Sequence, residues 1–292
     1  MKKAISMIVA LTMVLALGGC GGKASSAAAN ASAAGTATSA ASSGTTGNVP
    51  GTGKLQEILK RGTIRVGLSL NGYPIGSRDD KGNPIGYDVD WAQNLADTLG
   101  VKMEVVDVDT DTRISAVASG RVDIIFSNIT GTLERAKTID FSIPYLITGT
   151  KMLTLAGCKY KTVDDLNSAD IKVAVARGSV GEDLCHKRAP KASLIFVGNF
   201  NEALLQVQQG KAAACFEDSS VTDYTAAKSD GKLVSQETRY GTDPICAGMA
   251  KGDMEWVYYV NMFISRNITN GWMAETYKKY WGEEPAEMSH PW

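Results

Sequence analysis

The segment SNITGTLER (127–135) carries side chains that could bind a negatively charged ligand. Arg135 can hold a carboxylate through two parallel hydrogen bonds, a geometry that lysine does not match. Ser127 and Thr130 can add hydroxyl donors. Thr132 is placed to cap a helix, whose free backbone N–H groups would also favour an anion. The segment therefore predicts a site for a carboxylate.

Spacing alone leaves a second interpretation of Arg135 open. In this interpretation the guanidinium lies on the surface and pairs with Glu134 or Asp140, its neighbours in the chain. The choice depends on whether other parts of the chain bring complementary groups to the same place.

Two further positions offer such groups. Ser179 follows Gly178 at a turn into a helix, where glycine permits close backbone approach and the helix N-terminus favours an anion. Asp218 follows an apolar run and could accept hydrogen bonds from an ammonium group, or it could be a solvated acid or a helix cap. With Arg135, these residues would provide a carboxylate clamp and an ammonium acceptor, which is the polarity of an α-amino acid zwitterion.

The elements that must position these residues alternate between strand and helix, and the same order occurs twice. Each copy has the order strand, helix, strand, helix, strand: 63–68, 88–100, 101–106, 111–120 and 122–126, then 171–176, 179–188, 193–197, 201–210 and 212–216. Two helices with aromatic residues follow, at 254–268 and 272–282. This alternation predicts an α/β protein with parallel sheets in two lobes of similar size.

Ligands in open α/β sheets bind beyond the carboxyl ends of the strands. That rule places 127–130 at the mouth of the first lobe, and 177–179 and 217–218 at the mouth of the second. A cleft between the lobes would bring these segments together.

The N-terminal region is predicted to be a targeting segment and a spacer. Lys2 and Lys3 precede a short apolar stretch, and LGGC (17–20) resembles the lipobox of bacterial lipoproteins, in which Cys20 becomes the lipidated N-terminus. An ordinary cleaved signal peptide is the alternative. We expect a signal peptide at 1–19 and a flexible linker rich in Ala, Ser, Gly and Thr at 20–53.

Composition argues against several other classes of protein. The net charge is −1, so the chain has no excess of basic residues for binding nucleic acid. Four cysteines remain after Cys20, without CxxC spacing and with only two histidines in the chain, so we expect no metal site. Their three possible disulfide pairings stay open.

Three segments, GYDVDWAQNLADTLGVKMEVV, SGRVDIIFSNITGTLERAKTIDFSIPY and VAVARGSVGEDL, resemble the family-3 solute-binding proteins of ABC importers for polar amino acids. The resemblance covers about 55–282 and is most specific over 119–145. It implies a periplasmic-binding-protein type II fold, with two α/β lobes joined by two hinge strands near 150–155 and 244–250. Lobe 1 would comprise 54–149 and 249–292, and lobe 2 would comprise 150–248.

The resemblance also implies roles for individual residues. Arg135 would hold the ligand α-carboxylate and Asp218 the ammonium group. The other ligand contacts would come from Ser127, Asn128, Thr130, Ser179 and Val180. Two positions depart from the family pattern: Tyr73 would be the single aromatic residue available to stack on the ligand, and Arg177 stands where glutamine is common.

Arg113 begins the second predicted helix at the mouth of lobe 1. A T-R-I sequence at this place resembles members that bind aspartate, glutamate or cysteine. Positive charge from Arg113 and Arg177 would exceed the needs of one α-carboxylate, so we expect an acidic or small polar amino acid as the ligand. Alternatively, Arg113 points outward and pairs with Asp109 or Asp111.

The predicted function is that of a monomeric, lipid-anchored, extracytoplasmic binding protein that delivers an amino acid to the permease subunits of an ABC transporter. It would be neither an enzyme nor dependent on a cofactor. One alternative is an exported dehydratase acting on prephenate-like substrates, with Glu217 as the acid. Another is a sensor that presents its ligand to a receptor.

Overall fold

The computed structural model describes residues 52–285. The predicted signal peptide, Cys20 and nearly all of the predicted linker lie outside these residues. The described part contains eight α-helices: α1 Lys54–Arg61, α2 Tyr87–Leu99, α3 Arg113–Ala118, α4 Val180–Arg188, α5 Phe200–Gln208, α6 Ser219–Ala227, α7 Met254–Thr269 and α8 Trp272–Trp281. Two short 3-10 helices span Arg135–Lys137 and Asp164–Leu166.

Ten strands complete the secondary structure of this part. They are β1 Thr63–Leu68, β2 Ser77–Arg78, β3 Pro84–Ile85, β4 Lys102–Asp107, β5 Ile124–Phe126, β6 Ile139–Leu155, β7 Lys172–Ala176, β8 Ser193–Val197, β9 Ala214–Asp218 and β10 Leu233–Ala250. Strands β2 and β3 form a small hairpin, and the other eight form one sheet in the order β4-β1-β5-β10-β6-β9-β7-β8.

Each end of this sheet is a parallel unit, as the repeated strand and helix pattern predicts. Strand β1 pairs in parallel with β4 and β5, and β7 pairs in parallel with β8 and β9. The two units correspond to the two predicted α/β lobes. We call the unit of β4, β1 and β5 the first lobe and the unit of β9, β7 and β8 the second lobe.

Strands β6 and β10 lie between the two lobes and pair with each other in antiparallel fashion. They have 17 and 18 residues, so each is much longer than the hinge segment predicted within it. Strand β10 also pairs with β5, and β6 also pairs with β9, so these two strands join the lobes through backbone hydrogen bonds. The residues at which one lobe passes into the other stay a prediction.

Helix boundaries follow the sequence signals closely. Helix α2 ends at Gly100, which has a left-handed backbone and closes the helix with its N–H group. Trp91, Leu95 and Leu99 recur every four residues along α2 and are buried. Trp256 and Phe263 of α7 pack in the core in the same way and are at most 5 % exposed, whereas Tyr258 on the opposite face is 71 % exposed.

Four elements have no counterpart among the predictions: α1, the β2–β3 hairpin, the 3-10 helix Asp164–Leu166 and α6. Helix α6 follows β9 without a connecting loop, so Asp218 ends the strand and also occupies the N-cap position of the helix. The four cysteines between residues 52 and 285 are free thiols in the structure. No helix in this range is long and apolar enough to cross a membrane.

Candidate ligand-binding cleft

Two small adjoining cavities lie where the strand ends of the two lobes meet. Both are lined by Thr110, Arg113, Asn128 and Glu217. The cavity that we call the loop cavity also contacts Ser69, Asn71, Gly72, Ile75, Ser127, Phe200 and Val221. The other, the turn cavity, also contacts Thr130, Thr150, Ser179, Val180, Gly181, Phe216 and Asp218.

The cavities have volumes of about 20 and 30 Å³, enough for one or two water molecules each. They are small because side chains reach directly from lobe to lobe. The Asn128 amide donates to Glu217 Oε1 at 2.9 Å, and Arg135 Nη2 donates to the Gly178 carbonyl oxygen at 2.8 Å. An amino acid could enter only if these contacts between the lobes opened.

Arg135 belongs to this contact region between the lobes. Its Nη1 donates to the Thr130 carbonyl oxygen at 2.8 Å, and its backbone N–H donates to the Thr132 hydroxyl. The predicted helix is a single 3-10 turn, Arg135–Lys137, with Glu134 rather than Thr132 at its N-cap position. Burial lowers the pKa of the Arg135 guanidinium, although Asp183 and Asp218 oppose the effect. The acids of the alternative interpretation, Glu134 and Asp140, pair with lysines instead.

Arg113 points inward and is only 5 % exposed. Its Nη1 donates to the carbonyl oxygens of Ser127 at 2.6 Å and Asn128 at 3.0 Å. Burial, with a smaller contribution from nearby Arg135, lowers the pKa of Arg113 to about 10. The outward orientation, with a partner at Asp109 or Asp111, is not found.

Two neighbouring acids face the arginines from the end of β9. Burial raises the pKa of Glu217, and burial together with the adjacent Glu217 raises the pKa of Asp218 well above its ordinary value. Asp218 occupies an N-cap position but makes no capping hydrogen bond with its side chain. Its carboxyl group lines the turn cavity, where the ionised form could accept hydrogen bonds from an ammonium group.

Asp88 holds the Asn128 backbone at this site, and the sequence analysis did not identify it. It is fully buried and accepts hydrogen bonds from the Asn128 backbone N–H at 2.7 Å and the Tyr145 hydroxyl at 2.6 Å. Burial raises the pKa of Asp88 to about 7. Asn128 has a left-handed backbone, with φ of 51°, and the hydrogen bond that its N–H donates to Asp88 stabilises this conformation.

Ser179 is the N-cap of α4, and its hydroxyl accepts the Glu182 N–H at 3.1 Å. The helix start is thus built as predicted, with Ser179 and Val180 lining the turn cavity. Ser127 and Thr130 also line the cavities, and both are buried.

Comparison with known proteins agrees with this architecture. The family model for bacterial extracellular solute-binding proteins, family 3, matches residues 64–283. The chain belongs to this family. Its two-lobed α/β fold is therefore the expected periplasmic-binding-protein type II fold.

Three relatives of this family-3 solute-binding protein are informative. The ABC transporter glutamine-binding protein GlnH of Bacillus subtilis (strain 168) is 28 % identical over 98 % of this chain and 100 % of its own length. Cyclohexadienyl dehydratase of Pseudomonas aeruginosa is 30 % identical over 62 % of this chain and 66 % of its own. The crystal structure of the ancestral amino acid-binding protein AncCDT-1, a precursor of cyclohexadienyl dehydratase, has 36 % identity and a TM-score of 0.73, covering 78 % of this chain and 99 % of that chain.

Three of the residues predicted to bind the ligand line neither cavity of this family-3 protein. One is Arg135, which instead makes the contact between the lobes described above. The other two are Tyr73 and Arg177. The Tyr73 ring packs against Tyr224 with 4.7 Å between ring centroids and lines a separate surface depression. Arg177 is exposed, and its guanidinium lies over the Phe196 ring, 4.4 Å from the centroid. Arg177 packs on the exposed Phe196 ring, and Tyr73 packs on other tyrosines. These contacts explain why neither side chain points into the cleft.

The structure adds groups to the cleft that sequence reasoning did not assign as ligand contacts. Glu217 and Thr110 line both cavities, and Asn71 lines the loop cavity. The position of Glu217 at the end of an apolar strand could have identified it as a ligand contact from the sequence. The sequence around Thr110 contains no feature that indicates such a role. Among residues 52–285, no group of three or more His, Cys, Asp or Glu side chains could hold a metal ion.

Proposed function

We propose that this protein captures an L-amino acid in the cleft between its lobes and delivers it to the permease of an ABC transporter. The observation that carries the proposal is that basic and acidic side chains face each other at the strand ends. Arg113 and Arg135 come from the first lobe, and Glu217 and Asp218 come from the second. An α-carboxylate and an α-ammonium group would satisfy both sides at once.

The contacts between the lobes support a cycle of opening and closing. A ligand that bonds to Arg135 on one lobe and Asp218 on the other stabilises the closed arrangement through its affinity for both. The permease would then recognise that closed arrangement. In this mechanism the binding protein performs no chemistry, and the transporter consumes the ATP.

The proposal includes a location outside the cytoplasm. Lipidation of Cys20 would fix the chain to the cell membrane, and the linker of residues 20–53 would let one folded domain reach a neighbouring permease. The domain would act as a monomer, because the proposed site is complete within one chain.

A dehydratase activity is the second candidate, and Glu217 is the observation in its favour. A buried carboxyl group with a raised pKa can retain its proton and protonate a leaving hydroxyl. The relationship to cyclohexadienyl dehydratase adds to this case. The measurement that separates the two functions is turnover: incubation with prephenate should leave it unchanged beyond the uncatalysed rate, and enzymatic loss of water would favour the second candidate.

The binding proposal is tested with protein freed of ligand by unfolding, dialysis and refolding. A thermal-shift screen against the standard amino acids should find at least one that stabilises the fold, by roughly 2.7 kcal/mol at a hundredfold excess over its dissociation constant. Arg135→Ala should then weaken binding about 100-fold, which corresponds to about 2.7 kcal/mol for a charge-assisted pair.

Arg121→Ala is the matched control, because Arg121 is exposed, whereas Arg135 donates a hydrogen bond to Gly178 of the other lobe. This variant should keep the affinity of the unaltered chain. The absence of a shift with any amino acid, or full affinity in Arg135→Ala, would count against the proposed function.

A further inference from the structure

The loop cavity has balanced charge. Arg113 supplies its positive charge. Glu217 supplies its negative charge in the ionised form, which Arg113 and the Asn128 amide favour and burial opposes. The other lining residues are uncharged: Ser69, Asn71, Gly72, Ile75, Thr110, Ser127, Asn128, Phe200 and Val221. Asp218 and the Ser179 turn belong to the turn cavity, which suits the α-amino and α-carboxylate groups. The loop cavity is then the place for the ligand side chain.

Three residues that line this cavity carry polar side-chain atoms that the protein leaves without hydrogen bonds. Arg113 Nε is a buried donor with no partner, and Asn128 Oδ1 is a buried acceptor with no partner. The Ser127 hydroxyl, which can donate or accept, is also buried and unpartnered. An unpaired buried polar atom is costly, so a bound side chain that supplied both an acceptor and a donor would be favoured.

The charges of Arg113 and Glu217 then limit which ligand side chains the loop cavity can accept. A carboxylate would pair with Arg113 but would stand beside Glu217, a like charge in a place shielded from water. An ammonium or guanidinium group would pair with Glu217 but would meet Arg113 in the same way. A primary carboxamide brings no charge, and it has an acceptor oxygen and a donor nitrogen on one planar group.

We propose that the ligand is an L-amino acid with a carboxamide side chain, glutamine or asparagine. Its carbonyl oxygen accepts a hydrogen bond from Arg113, and its amide nitrogen donates to Glu217 and Asn128. This inference rests on the proposed amino-acid-binding function and deepens it. It keeps the small polar part of the expectation drawn from the sequence and removes the acidic part.

The apolar residues of the loop cavity fit the rest of such a side chain. Ile75, Phe200 and Val221 are each at most 4 % exposed and would cover the methylene groups between the amide and the α-carbon. Specificity would come from the amide, since a site built to hydrogen-bond a polar group rejects analogues that cannot do so.

Isothermal titration calorimetry on the refolded chain at pH 7.5 tests the inference, with glutamine, asparagine, glutamate, aspartate, lysine and arginine as probes. Glutamine or asparagine should bind at least about tenfold more tightly than the acid of the same length and than either basic amino acid, a difference of about 1.4 kcal/mol. Tighter binding of glutamate, aspartate, lysine or arginine would overturn the inference.

The variant Glu217→Gln tests the role of the carboxylate with almost no change in shape. Removing the like charge should lower the ratio of amide to acid affinity by about tenfold or more, because the acid is no longer repelled. Glu237→Gln is the matched control, since Glu237 is exposed and lies outside both cavities. An unchanged ratio in Glu217→Gln would refute the assigned role of Glu217.

These outcomes separate the two proposals. If no standard amino acid binds, the proposed function itself fails. If a different amino acid binds and Arg135→Ala abolishes that binding, the function holds and the carboxamide inference fails.

Discussion

Asp88 makes the stability of this protein depend on pH in an unusual direction. Its carboxyl group is fully buried between α2 and the exit of β5, and its pKa is raised from 3.8 to about 7. Burial disfavours the ionised form more than the hydrogen bonds from Tyr145 and Asn128 favour it. The folded protein therefore holds a proton on Asp88 that the unfolded chain has already lost near pH 5.

The sign and size of the effect follow from this difference in pKa. Between pH 4 and pH 7 the folded state binds more protons than the unfolded state, so the free energy of unfolding falls as the pH rises. The contribution of Asp88 is fully present below pH 4 and is lost as the pH passes 7. A rise of about three pKa units corresponds to about 4 kcal/mol.

The variant Asp88→Asn removes this titration and retains an acceptor for the Asn128 N–H group. Urea unfolding of ligand-free protein, followed by tryptophan fluorescence, gives the free energy of unfolding at each pH from 4 to 8. The free energy of unfolding of the unaltered chain is subtracted from that of Asp88→Asn at each pH, so that the contributions of the other acids cancel. This difference should increase by up to about 4 kcal/mol as the pH rises, in favour of the variant.

Glu237→Gln serves as the control, because Glu237 is exposed and far from Asp88 in the chain. The free energy of unfolding of this variant should stay within about 0.5 kcal/mol of that of the unaltered protein across the same pH range. Parallel curves for Asp88→Asn and the unaltered chain would refute the reasoning, since they would show that Asp88 is ionised in the folded protein.

Two further predictions concern the backbone and the thiols. Gly86→Ala should lower the free energy of unfolding by roughly 2–5 kcal/mol in urea, because the residue has φ of 136° and an added Cβ would lie 2.3 Å from a backbone oxygen. Gly82→Ala is the control: this residue has φ of 84° and open space around it, so the loss should be only about 1 kcal/mol. Equal losses in the two variants would contradict this account. A thiol reagent followed by peptide mapping should modify half-buried Cys158 before buried Cys185 and Cys215, whose pKa values burial raises; equal rates in the folded protein would be the contrary result.

Periodicity was sufficient to predict most of the fold. The apolar repeat of Trp91, Leu95 and Leu99 and the stop at Gly100 place α2 within one residue of its observed bounds. Local signals did not reveal that Ile139–Leu155 and Leu233–Ala250 form continuous strands, because their pairing joins residues about 80 to 110 positions apart. Long-range pairing of that kind leaves little trace in a window of ten residues.

Strand ends were also enough to locate the cleft, and the resemblance to a known family named its central residues. The predictions for Ser127, Thr130, Ser179 and Asp218 brought together residues that the structure also brings together. The predictions for Tyr73 and Arg177 depended on side-chain direction, which the neighbouring aromatic rings determine. Those rings come from distant segments, so no local pattern shows which way the side chains turn.

Arg113 shows why the charge of a ligand is harder to infer than the place where it binds. Its neighbours in sequence suggested an arginine in need of a negative partner, and hence an acidic ligand. In the fold its Nη1 is already bonded to two carbonyl oxygens, and Glu217 from the other lobe lines the same two cavities. A site assembled from two lobes selects its ligand by the sum of both contributions, so one residue considered alone does not determine the charge of the ligand. If glutamate nevertheless binds more tightly than glutamine, Glu217 must retain its proton in the complex, and the preference should weaken as the pH rises.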